Sequence, residues 1–103
     1  GRLMQREFAS VFEREHGCLE SEWLGWLPGA VRQHVLDLGT PGQARITIGG
    51  GALLLRWHAL EPRRLGMAKF PRLIVHYAFD GLDAVERASF MRYFDLYMQR
   101  GGG

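Results

Sequence analysis

A chain of 103 residues, 47% apolar and 23% charged, has the balance of one small globular domain spanning residues 1–103. No run approaches the ~18–20 uncharged apolar residues of a membrane span, and the opening Gly1-Arg2-Leu3-Met4 lacks the apolar core of a secretory signal. The net charge is only +2, yet residues 32–72 hold seven basic groups against two acidic ones, so the middle of the chain carries the positive field.

The single cysteine, Cys18, excludes an internal disulfide. Stability must therefore come from packing, and a reducing, cytoplasmic setting is the expectation. Three Trp, three Tyr and six Phe supply the apolar area for a core. Twelve of the thirteen basic residues are Arg, a side chain suited to planar hydrogen bonding with carboxylate or phosphate, although Arg excess also follows genome composition.

Met4, Phe8, Val11 and Phe12 recur at helical spacing among Arg6, Glu7, Glu13 and Arg14, which predicts an amphipathic helix over residues 3–16 ended by Gly17. Ser21 as a cap before Trp23, Leu24 and Leu27 predicts a second short helix that stops or kinks at Pro28-Gly29. From Val35 the period changes to two. Strands are predicted at 35–38, 44–48, 52–60 and 72–80, with turns at Thr40-Pro41-Gly42 and Gly49-Gly50-Gly51.

Parity constrains the glycine turn. Ala44, Ile46 and Ile48 must share the core face with Leu53, Leu55 and Trp57, so even residues pair with odd ones. A two-residue loop at Gly49-Gly50 achieves this, with Ile46 opposite Leu53 and Ala44 opposite Leu55. Leu73, Val75, Tyr77 and Phe79 continue the same core face. The last element is a helix over 82–100, with Asp80 or Asp83 near its positive end and Phe90, Met91, Phe94, Tyr97 and Met98 on a broad apolar face. Val85 and Leu96 fall on the opposite side, so this helix is expected to touch two surfaces. The resulting fold class is α+β: a four-stranded antiparallel meander packed on one face by two N-terminal helices and one long C-terminal helix.

Catalytic candidates are few. His16 and Cys18 are close in sequence but lack a third, orienting group, and the glutamates from Glu13 to Glu22 read as solvated helix faces and caps. No catalytic residue, metal ligand or cofactor is assigned, and a non-enzymatic protein is the better reading. His58 and His76 occupy even positions on neighbouring strands. A register in which paired numbers sum to 134 sets them opposite one another, whereas a sum of 132 sets Arg56 opposite His76 and His58 beside Ile74.

The even-numbered sheet face is the main functional clue. Arg45, Leu54, Arg56, His58, Ile74 and His76 form a mixture too apolar for a plain solvated sheet and too charged for a second core. A cover by one of the protein's own helices is the competing explanation. The connection 61–72 is the other candidate, because Arg63, Arg64, Lys69 and Arg72 are interleaved with Met67 and Phe70 in a pattern that can hold a phosphate backbone and stack a base. No RNA-recognition signature, helix-turn-helix pattern or zinc finger accompanies it. The primary expectation is therefore a self-associating protein-interaction domain that uses the Leu54/Ile74 face or the aromatic face of the last helix. The alternative is an anionic-ligand or RNA-binding module, and no membrane partner is expected.

Overall fold

The computed structural model describes residues 8–101. Seven elements follow in order: β1 (Val11–His16), α1 (Glu20–Val31), β2 (Val35–Asp37), β3 (Gln43–Ile48), β4 (Gly51–Leu65), β5 (Ala68–Asp80) and α2 (Ala84–Gly101). The strands form a single antiparallel sheet in the order β1-β5-β4-β3-β2. The predicted meander is present as β2 to β5, and the class is α+β. There are five strands rather than four, and two helices rather than three among the described residues.

The discrepancy lies at the start of the chain. Residues 11–16 are a strand where a helix is predicted over 3–16; residues 3–7 of that prediction lie outside the described residues. Phe12, Arg14 and His16 point toward the helices, while Val11, Glu13 and Glu15 point away. Two of the three core-side residues are polar, which hides the alternation. Those polar groups are satisfied at long range, Arg14 by Asp95 and His16 by Tyr77, and the strand is stabilised by the otherwise open edge of β5.

α1 starts where Glu20 and Glu22 favour the positive end of the helix, and the Glu22 carboxylate accepts the Leu19 amide at 2.9 Å. It runs through Pro28 to Val31 instead of stopping, then closes at Arg32 with a φ of 54°. A side chain at Gly29 would collide with the ring of Tyr97, so this glycine allows α2 to lie close to α1. α2 is opened by a reciprocal cap: Asp83 Oδ1 accepts the Glu86 amide at 2.8 Å and Glu86 Oε1 accepts the Asp83 amide at 2.9 Å.

The glycine turn has the predicted register. Ile46 faces Leu53, Ala44 faces Leu55, and Gly49 takes a φ of 55° at the first position of the two-residue loop. β4 and β5 then continue well past residues 60 and 72. The stretch read as a connection is a regular hairpin arm, irregular only between Leu60 and Arg63, and closed by Gly66-Met67. Pro62 falls within the irregularity, where a missing amide costs no ladder bond.

Both helices pack on the odd face of β4 and β5. Trp23, Leu27, Ile46, Leu53, Leu55, Val75, Tyr77, Met91 and Phe94 are completely or almost completely buried there. Phe90, Met91 and Phe94 of the apolar face of α2 are buried in this core, while Tyr97 and Met98 of the same face are half-buried and Val85 and Leu96 are exposed.

Candidate functional site

Both described helices lie on one side of the sheet. Among the described residues no helix lies over the even face of β4 and β5, from which Leu54, Arg56, His58, Ile74 and His76 project, with Arg45 of β3 on the same side of the sheet. Register gives their arrangement: Arg45 is opposite Leu54, Leu54 opposite Ala78, Arg56 opposite His76, and His58 opposite Ile74. The register sum is thus 132. His58 and His76 are diagonal neighbours with ring centroids 6.2 Å apart rather than direct partners.

The open face is partly apolar by the crowding of its own neighbours. Ile74, His76 and Ala78 are half-buried without any covering element, while Leu54 remains 37% exposed. At one end the sheet forms a shallow trough of about 470 Å³ lined by Val11, Glu13, Arg45, Leu54, Arg56 and His76, together with residues of the 37–43 segment. Neither Arg45 nor Arg56 has a carboxylate within 4 Å among the described residues.

β1 adds the acidic part of this surface, which the helix reading concealed. Glu13 Oε2 lies 3.2 Å from His76 Nδ1. Glu15 accepts both Arg72 Nε and Nη2 at 2.9 Å, and Arg63 Nη2 approaches it at 3.4 Å. The paired guanidinium of Arg72 holds the Glu15 carboxyl below its usual range. Arg72 also donates to the Glu61 carbonyl at 3.1 Å. The four basic residues of the arm therefore do not act together. Arg63 and Arg72 are tied to Glu15, whereas Arg64 and Lys69 are cross-strand partners without a carboxylate among the described residues. Met67 at the tip is fully exposed, and Phe70 is 48% exposed opposite Arg63.

The helix side holds a second polar cluster that periodicity did not show. Arg14 makes two hydrogen bonds to Asp95, at 2.7 and 3.1 Å, and its guanidinium lies over the Phe8, Phe12 and Tyr77 rings. His16 Nε2 is 2.8 Å from the Tyr77 hydroxyl, and Trp57 Nε1 donates to Glu20 Oε2 at 2.7 Å. Burial, reinforced by the Arg14 charge, pushes His16 down to about 4, so its imidazole is neutral at neutral pH. Burial, with Glu22 nearby, pushes the Cys18 thiol up to about 11. That thiol stays protonated and His16 is engaged elsewhere, so the two do not form a nucleophile and base. No cluster of three or more His, Cys, Asp or Glu able to hold a metal occurs among the described residues, and no described helix is long and apolar enough to cross a membrane.

No protein-family model matches the chain, and no curated protein is significantly similar to it.

Proposed function

We propose that this chain is a non-enzymatic interaction domain that self-associates through the open face of its sheet. The observation carrying the proposal is a five-stranded sheet with a complete core on one side and, on the other, exposed or half-buried aliphatic groups over which no helix lies among the described residues. Antiparallel sheets commonly keep one wet face, but such faces alternate to polar residues. Here Val11, Ala78 and Leu54 make one apolar cross-strand row, and Ile74 adds a second apolar position beyond the row of Glu13, His76 and Arg56.

Solution mass by light scattering across a range of protein and salt concentrations tests this. A mass above that of the monomer, resistant to salt and reduced to the monomer by Leu54→Asp together with Ile74→Asp in a folded protein, is the expected result. A monomer at every concentration, or a mass unchanged in the double variant, overturns the proposal.

A second reading has its own support in Arg45 and Arg56, which line a trough in the size range of small-ligand sites without carboxylate partners. It assigns the trough to an organic anion with an apolar body. Binding would then weaken steeply with salt and be lost in Arg45→Gln/Arg56→Gln. The arm supports RNA binding less, because two of its four cations, Arg63 and Arg72, are already engaged by Glu15.

A further inference from the structure

The charges on the open face are sorted by strand. β1 presents Glu13 and Glu15, while β3 and β4 present Arg45 and Arg56. Glu15 is consumed by Arg72 and Arg63, but Glu13 has only the contact to His76 and its side chain is 60% exposed. Arg45 and Arg56 have no carboxylate within 4 Å among the described residues, although Asp37 of β2 is the register partner of Arg45. One sheet thus carries an acidic group without an arginine partner on one edge strand and two basic groups without an ion pair two and three strands across.

From this sorting we infer that a second copy of the chain docks face to face about a two-fold axis running parallel to the strands, between β4 and β5. Glu13 of each copy then lies over Gln43 of the other, between Arg45 and Arg56. The inference rests on the self-association reading above and specifies its geometry.

Sheets that pack face to face keep their strands within about 30° of one another, which leaves two in-plane axes to consider. An axis across the strands lays β1 on β1 and β3 on β3, setting like charges against like. An axis along the strands uses the order β1-β5-β4-β3 to carry β1 over β3 and β5 over β4. Because Glu13, His76, Arg56 and Gln43 share one cross-strand row, that rotation sets Glu13 above Gln43 of the other copy, flanked by Arg45 and Arg56. In the adjacent row the same rotation sets Val11 of each copy above Arg45 of the other and brings apolar groups together between them. Ala78 and Leu54 are register partners within one sheet, so the rotation lays Ala78 of each copy on Leu54 of the other.

Charge reversal tests the geometry on the full chain, with sedimentation or light scattering as the readout and a thermal melt confirming the fold. Glu13→Arg alone, and Arg45→Glu/Arg56→Glu alone, should each weaken self-association on the order of a hundredfold, since each homodimer then places like charges together twice. An equimolar mixture of the two variant chains should recover a dimer of mixed composition, because both of its contacts become complementary. If Leu54→Asp/Ile74→Asp dissociates the dimer while the charge variants do not, the face associates but this arrangement is wrong. Charge variants that dissociate without recovery on mixing also overturn the arrangement. A wild-type chain that never associates removes the underlying reading as well.

Discussion

Arg14 and Asp95, 81 positions apart in the chain, are joined by two hydrogen bonds that clamp the edge strand β1 to the last helix. Both side chains are about three-quarters shielded from solvent, and the guanidinium also covers aromatic rings. A planar, bidentate contact of this kind is stronger than an exposed ion pair.

Removing one partner should therefore cost more than removing both. Arg14→Met leaves Asp95 partly buried and unpaired, for a loss of about 2 kcal/mol in urea unfolding. Adding Asp95→Leu to the same chain should recover much of that loss. A double variant as unstable as the sum of the two singles would show that the side chains contribute independently.

Stability should also depend on pH through His16. Its folded pKa, about 4, lies below the ordinary value of 6.5, so between these limits the unfolded chain binds more protons than the native one. The sign follows: stability is complete above pH 6.5 and falls as pH drops toward 4, by up to roughly 3 kcal/mol. His16→Gln keeps a polar partner for Tyr77 without the titration. Urea midpoints measured from pH 4 to 7 should then slope less steeply in the variant, and parallel slopes would assign the effect to other groups.

Two adjacent glycines should respond differently to substitution. A side chain on Gly51 would meet the backbone carbonyls of Asp80 and Gly81, which cannot move without breaking the β4–β5 pairing, whereas Gly50 faces open space. Gly51→Ala should lower stability by about 2 kcal/mol and Gly50→Ala by well under 1 kcal/mol. Equal melting temperatures for the two variants would contradict this account.

The period-two pattern of residues 44–60 and 72–80, with the parity of the glycine turn, was enough to place the core face and the β3–β4 register. The same parity put Arg45, Leu54, Arg56, His58, Ile74 and His76 on one face. What it could not supply was whether that face is covered, since the answer depends on which side two distant helices choose. β1 failed for a different reason. Its inward positions hold Phe12, Arg14 and His16, whose burial is licensed by Asp95 and Tyr77 far along the chain. Read locally, Phe8, Val11 and Phe12 fit a helical stripe better than a strand, and the acidic edge of the site was lost with it. The arm was hidden by Pro62 and Gly66, residues that normally interrupt a strand and here occupy its irregularity and its tip.

The place of β1 in the sheet also has a consequence during synthesis. Among the described residues its sole neighbour is β5, and Tyr77 follows His16 by 61 residues, so at roughly 5–20 residues per second the ribosome extends the chain for several seconds before that partner is made. Throughout that interval the segment Val11-Phe12-Glu13-Arg14-Glu15-His16 is an unpaired strand on a growing chain. Its alternate charges, which weaken its local signal for any one structure, are the kind that keep a waiting strand from pairing with the wrong neighbour.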